Sequence, residues 1–390
     1  MKITDVYEDV KAPKLAQYKG KLDCVNQGLI IGFELETEGC NEHTTRGWSE
    51  TVAPFNFTVT QDGSLRGIAY EFLSKPMRST HALAALTDFF AATKFDEANY
   101  SDRCSIHVHA NCTDLELEQV SCLALLYSVL EDILFEFVGR DRDTNIFCVP
   151  WNQCRLHLNL VQRFLEDPRN TLRQWNKYTA LNMIPLNSLG TVEFRQMYGT
   201  ADMVKITKWV NIIGAMFKYA KEVPLNVLID QIKSLNNTSQ YEAFFNQVLG
   251  GQLPYNDLYR QRMEEGVILA KFSLMSRNKP KKKLSGLWDI PDDGVPAAPV
   301  RNRDEWAAIL DRQLREIQVN YGDQANGLIA VNPFDNAVLG REGLQVARAA
   351  PRPRNRPGHL VPAPAPAPRV NAWVAMEDNF DEPDFEREDD

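Results

Sequence analysis

Ile31-Gly32-Phe33-Glu34-Leu35-Glu36-Thr37-Glu38 alternates apolar and acidic residues with a period of two. Successive side chains of an extended strand point to opposite faces, so Glu34, Glu36 and Glu38 share one face and Ile31, Phe33 and Leu35 share the other. Three later stretches repeat the design. In Ile68-Ala69-Tyr70-Glu71-Phe72-Leu73, Glu71 opposes Ile68, Tyr70 and Phe72. In Cys104-Ser105-Ile106-His107-Val108-His109, the two histidines face away from Cys104, Ile106 and Val108. In Thr191-Val192-Glu193-Phe194-Arg195, Glu193 and Arg195 oppose Val192 and Phe194. Strands with one greasy face suit a largely antiparallel sheet covered by helices on that side.

The helices to cover it can be found. Ser79-Thr80 opens a segment running to about Thr93. Thr113-Asp114-Leu115-Glu116 reads as a capping box before a long apolar helix that Gly139 ends. Asp202 caps a third, whose Met203, Ile206, Trp209, Val210, Ile213 and Phe217 form one stripe that stops near Pro224. Such stripes are core.

Taken singly, each polar face needs nothing but water. Together they carry Glu34, Glu36, Glu71 and Glu193, two histidines, Arg195 and no lysine. Two bare carboxylates about 4 Å apart repel by roughly 4 kcal/mol at an effective dielectric of about 20. If the strands are neighbours, something positive must sit among them. Divalent cations are the simplest answer, with Arg195 as a further fixed charge. A carboxylate majority with one or two imidazoles favours Mg²⁺ or Mn²⁺ over zinc. A zinc site through His107 and His109 stays open, but it leaves most of the glutamates without a role. Carboxylate-rich sites that keep an Arg handle phosphates. No G-x-x-x-x-G-K-[ST] stretch exists, so a nucleotide would be held through metals rather than by a Walker loop.

The order of these residues is itself informative. Gly32-Phe33-Glu34-Leu35-Glu36, Asp62-Gly63-Ser64-Leu65 leading to Tyr70-Glu71-Phe72-Leu73-Ser74, Ile106-His107-Val108-His109 and Thr191-Val192-Glu193-Phe194-Arg195 follow one another along the chain. This series resembles the amidoligase family, which is similar to glutamine synthetase and γ-glutamylcysteine synthetase. The resemblance spans roughly Gly28 to Ala220. It implies an α+β fold, a largely antiparallel curved sheet with helices packed on its apolar face, as in a glutamine synthetase-like catalytic domain. It implies metal ligation by Glu34, Glu36, Glu71, His107 and Glu193, with His109 near the nucleotide phosphates or a second metal. Arg195 would contact the transferred phosphoryl group, and Glu34, Glu36 and Arg195 would carry the catalysis. The cofactors would be ATP and Mg²⁺ (or Mn²⁺). The reaction would join a carboxylate to an amine on an amino acid or peptide through an acyl phosphate. Arg173, Tyr178 and Asn182 match a further family stretch and would shape the substrate side. Glu38 falls outside the core motif, Asp62-Gly63-Ser64 is a turn sequence in its own right, and His43, His81 and His157 read as ordinary.

Composition sets the frame around this unit. The chain has 390 residues, 44% of them hydrophobic, enough for a sizeable core. No run of about 18 apolar residues appears and Met1 to Asp9 lacks a signal-peptide stretch, so no membrane partner is expected. Seven cysteines without a Cys-x-x-Cys pair read as reduced thiols, which points to the cytoplasm; a phage or bacterial origin suits the family. Of the net charge of −9, Glu377 to Asp390 holds nine acids against one Arg, and the remainder is nearly neutral. Nucleic acid is not an expected partner.

The expected organisation is an N-terminal segment (1–27), an amidoligase-like catalytic domain (28–276), a basic linker (277–301), a helix (302–322) and a disordered tail rich in Pro and acidic residues (323–390). Arg277 to Lys283 carries five basic residues and no acid, a solvated linker or a phosphate-contacting patch. The tail offers a route to a protein partner. Two rivals to the ligase stand: a metal-dependent hydrolase using His107 and His109, and a catalytically silent interaction protein that works through its tail.

Overall fold

Period-two alternation translates directly into burial. In the computed structural model, which describes residues 1–40, 45–61, 63–151 and 160–274, Ile31, Phe33, Leu35, Phe72, Ile106, Val108, Val192 and Phe194 are all buried. The described residues fall within the first of two units into which the chain divides, Met1–Gln313. The expected linker, helix and tail from residue 277 onward lie outside the described residues.

In chain order the elements are α1 (Ile3–Val6), β1 (Ile30–Thr37), α2 (Thr45–Val52), β2 (Phe57–Thr60), β3 (Tyr70–Ser74), β4 (Met77–Arg78), α3 (Ser79–Thr93) and β5 (Ser105–Asn111). Then come α4 (Leu117–Val138), α5 (Leu160–Glu166), α6 (Pro168–Arg173), β6 (Leu181–Asn182), β7 (Thr191–Tyr198), α7 (Met203–Glu222), α8 (Leu225–Ser234), α9 (Thr238–Leu249) and α10 (Asp257–Leu274). The strands form one sheet in the order β2-β3-β1-β5-β7-β6, with β4 also paired to β1. All its pairings are antiparallel. The α+β class and the antiparallel sheet follow the sequence reading.

Helices cover the apolar face. Phe72 on β3 meets Trp48 of α2 and Phe89 of α3, with ring centroids 5.7 and 5.2 Å away. On the other side of β1, Phe194 of β7 meets Tyr127 of α4 and Trp209 of α7 at 6.2 Å each. Burying each such side chain stabilises the fold by about 1.5–3 kcal/mol. The N-terminal segment joins this same core: Ile3 and Val6 are buried, and the Ile3 amide donates to the Leu115 carbonyl at 3.0 Å.

Three local expectations shift. Helix α4 starts at Leu117, not after Thr113. Asn111 Oδ1 takes the Thr113 hydroxyl at 3.0 Å, making a separate turn, and the Glu116 amide donates to Gln119 Oε1 at 2.9 Å. The capping logic holds three residues later. Strand β3 starts at Tyr70, and Ile68 is 47% exposed. Gly67 has φ +65°, a left-handed turn that breaks the alternation just ahead of Ile68. Glu38 lies one residue past β1, where its Oε1 accepts the Arg66 amide at 2.7 Å and ties down that loop. Asp202 caps α7 as expected, its Oδ1 accepting the Val204 and Lys205 amides at 2.9 and 3.1 Å. No helix among the described residues is long and apolar enough to cross a membrane.

Gly266 on α10 sits against the backbone of α4. A Cβ there would lie 2.0 Å from the Val129 carbonyl oxygen, which no rotamer change can relieve. Gly266→Ala is expected to destabilise the protein by about 1–3 kcal/mol through overpacking, outweighing alanine's better helix propensity. Gly63, where a Cβ meets nothing within 4 Å, serves as the control. Urea melts of the two variants would decide; equal stability would contradict the close helix approach.

Candidate active site

The polar face is ordered by strand register. Across the sheet, Glu36 of β1 lies opposite Glu71 of β3. One step along, Glu34 lies opposite His107 of β5. A further step on, His109 lies between Gly32 of β1 and Glu193 of β7, and Glu193 is opposite Asn182 of β6. Directly opposed residues of an antiparallel pair have Cβ atoms about 4.5–5.5 Å apart. The four strands whose polar faces carry the glutamates, the histidines and Arg195 are therefore neighbours in one sheet.

Three of the side chains gather to a point. Ligand atoms of Glu34, His107 and Glu193 all lie within 4.8 Å of one another. His107 Nδ1 is 3.1 Å from Glu34 Oε2 and 3.2 Å from Glu193 Oε1. His109 Nε2 is 2.9 Å from Glu34 Oε1, and its Nδ1 is 3.0 Å from Thr191 Oγ1. Gly32 opposite His109 has no side chain, which leaves the imidazole free to reach diagonally toward Glu34. Arg195 Nη1 donates to Glu193 Oε1, and its Nε donates to the Phe147 carbonyl at 3.2 Å. Asn182 Nδ2 donates to Glu193 Oε2 at 2.7 Å, while Asn182 Oδ1 accepts the Ile184 amide.

This cluster is charged and mostly dry. His107, His109 and Glu193 are each under 5% exposed. Burial would raise the Glu34 carboxyl, but His109 and His107 beside it prevail and hold it well below the usual carboxylate range. Burial likewise opposes the charge on Glu193, and Arg195 chiefly overcomes it, lowering that carboxyl too. Burial works against protonated His109, yet Glu34 raises its pKa above the ordinary imidazole value. Burial also disfavours the Arg195 charge, but Glu193, Glu36 and Glu34 raise it further still. Both carboxylates are ionised at neutral pH. Two anionic oxygens and one imidazole nitrogen converging on a single point are a donor set suited to a divalent cation.

The other expected residues are placed as follows. Glu36 is buried and Glu71 half-buried on the same face, one step from the three converging groups. The five expected ligands thus divide into Glu34, His107 and Glu193 at the point and the Glu36–Glu71 pair beside it. Tyr178 packs edge-on against Phe147 at 5.5 Å, and Arg173 is exposed at the end of α6. His81 Nδ1 is 2.8 Å from the Gly20 carbonyl, an ordinary structural contact. Asp62, His43 and His157 lie outside the described residues. Sequence reasoning missed Thr191 and the Phe147 carbonyl. Thr191 carried a signal, since it shares the parity of Glu193 and Arg195; a backbone carbonyl carries none.

The class is thereby defined: an α+β fold with a carboxylate–imidazole cluster on the polar face of an antiparallel sheet. Residues 56–216 match the family described as "Putative amidoligase enzyme", so the amidoligase resemblance read from the motifs is shown over that segment. It contains Glu71, His107, His109, Glu193 and Arg195, and it begins after β1 with Glu34 and Glu36. A solved structure titled "Crystal structure of novel glutamine synthase homolog" is 13% identical with a TM-score of 0.31, covering 62% of this chain and 67% of that one. No curated protein matches the chain. The family match supports a ligase-type role.

The geometry makes a prediction for metal binding. A Mn²⁺ titration followed by electron paramagnetic resonance is expected to show a site that Glu34→Gln and Glu193→Gln largely abolish. Asn182→Ala removes only the group orienting Glu193, and should weaken binding by about 10–100-fold. Unaltered affinity in all three variants would exclude this cluster as the ligand set.

Proposed function

We propose that the protein is an ATP-dependent carboxylate–amine ligase that forms an amide bond on an amino acid or peptide. One observation carries this: Glu34, His107 and Glu193, from three strands, converge beside Arg195 within a chain whose central segment matches an amidoligase family.

Glu34, His107 and Glu193 would hold Mg²⁺ or Mn²⁺, and Glu36 and Glu71 next to them would be ligands of a further ion. The bound cations would neutralise phosphate oxygens and the substrate carboxylate. The remaining work falls to the chain itself. A substrate carboxylate oxygen attacks the γ-phosphorus of ATP, and ADP departs to leave an acyl phosphate. An amine then attacks the acyl carbon, inorganic phosphate departs, and the nitrogen loses a proton. Arg195, held by Glu193 and the Phe147 carbonyl, is aimed to donate hydrogen bonds to the phosphoryl oxygens as negative charge shifts between them. His109 would lie near the nucleotide phosphates, the role that the family resemblance implies for it.

No side-chain nucleophile is needed. The buried thiols suit none: desolvation pushes Cys104 and Cys148 up to about 11 and Cys122 to about 12, so they are protonated at neutral pH. The two-histidine hydrolase is the weaker reading, because the ligand atoms that converge are those of Glu34, His107 and Glu193, a set that does not include His109. We place the reaction in the cytoplasm, and assign any protein partner to the tail beyond residue 323.

Incubation with ATP, Mg²⁺ and pooled amino acids and peptides should release phosphate only when both an acid and an amine are present. Arg195→Ala should lower the rate by about 10²–10³-fold, the usual cost of removing one stabilising donor, and Glu36→Gln should lower it as well. Full phosphate release in both variants would remove the ligase assignment.

A further inference from the structure

Arg142 is buried, only 5% exposed, yet nothing in the mechanism above uses it. It sits in the connection after α4, and among the described residues its partners are neutral. Its Nε donates to the Gln196 carbonyl at 3.1 Å, and its Nη2 donates to the Arg195 carbonyl at 3.3 Å and to Ser105 Oγ at 2.9 Å. Its Nη1 donates to the Asp102 carbonyl at 3.2 Å. One guanidinium therefore clasps the start of β5 and the middle of β7.

The place it clasps is irregular. The β5–β7 register runs Val108 with Phe194 and then Ile106 with Met197, so one extra residue of β7 is accommodated between them. A bulge of this kind disrupts the ladder and leaves backbone groups without their regular partners. Inside a protein such groups must be satisfied or they destabilise the fold. Up to Gln196 the alternation holds: Arg195 shares the polar face with Glu193, and Gln196 faces the helices with Phe194, its Nε2 donating to Tyr127 Oη at 2.7 Å. Met197 is fully buried. Regular alternation would have set Gln196 and Met197 on opposite faces. Arg142 further anchors the connection that supplies the Phe147 carbonyl, the acceptor for Arg195 Nε.

We propose that Arg142 is the positioning residue for Arg195: by holding the carbonyls of Arg195 and Gln196 at the bulge it fixes the stretch of backbone from which the Arg195 guanidinium reaches Glu193. It touches no reacting atom and acts only through its neighbour. A lysine cannot replace it, because a single ammonium lacks the planar fork that spans both strands. The kinetic part of the claim rests on the ligase reading; the structural part does not.

The test uses the full chain with Arg142→Lys, Arg142→Gln, Arg195→Gln and the double variant Arg142→Lys/Arg195→Gln. Arg142→Lys should lower kcat for ATP-dependent phosphate release by on the order of a hundredfold, as expected for a misplaced catalytic group. The double variant should be no slower than Arg195→Gln alone, because the two residues act as one unit. Losses that multiply would overturn the proposal in favour of a general structural role. Arg142→Gln, which keeps a neutral donor, stands in if the lysine variant does not fold. If the unaltered protein releases no phosphate from ATP, the ligase reading fails by itself. A crystal structure of the Arg142 variant then decides: Arg195 displaced from Glu193 and the Phe147 carbonyl supports positioning, and Arg195 in place refutes it.

Discussion

The protein is organised around the burial of like charges on one face of a sheet. Glu34 and Glu193 are both held ionised within reach of the same imidazole, in a place where water is scarce. Carboxylates are stable there because His109, His107 and Arg195 are beside them and outweigh desolvation. An arrangement that sets these groups against one another along and across strands requires a rigid frame. The frame is the opposite face, where Phe72 and Phe194 lock the sheet to α2, α3, α4 and α7. Stability and chemistry are thus written on alternate residues of the same strands.

Register is the link between the two. Because side chains alternate, the core contacts of Phe33 and Leu35 determine which way Glu34 and Glu36 point. A slip of one residue would bury the glutamates among the helices. Among the described residues the pairing departs from regularity at the bulge beside Arg195, where a second arginine donates to the Arg195 and Gln196 carbonyls.

Much of this is legible in the amino-acid sequence. The parity of Glu34, Glu36, Glu71, His107, His109, Glu193 and Arg195 is a property of the chain, and apolar partners at every other position confirm which face is hidden. What parity cannot say is which strand lies beside which, and so how the carboxylates divide. The gathering of Glu34 with Glu193 and the setting of Glu71 against Glu36 are products of strand order. Turns were harder to read. Thr113 resembles a cap, but Asn111 competes for its hydroxyl, and Ile68 continues the alternation on paper while Gly67 has already turned the chain. Arg142 was invisible for a different reason: Arg140-Asp141-Arg142-Asp143 after a helix end looks like a solvated charge run, and only the fold shows that Arg142 is drawn inward. The family resemblance covers the strands well and is silent on that connection's packing.

The shortness of β6 has a consequence of its own. Sheets invite foreign strands to join wherever a long row of backbone amides and carbonyls lies open, and this is a route to polymerisation. Here the margins are a strand of four residues, β2, and one of two, β6. Beside β6 the chain closes that border itself: the Val149 amide donates to the Tyr178 carbonyl, and the Ala180 amide to the Val149 carbonyl. Among the described residues, a foreign strand therefore finds a template of only a few residues along that border.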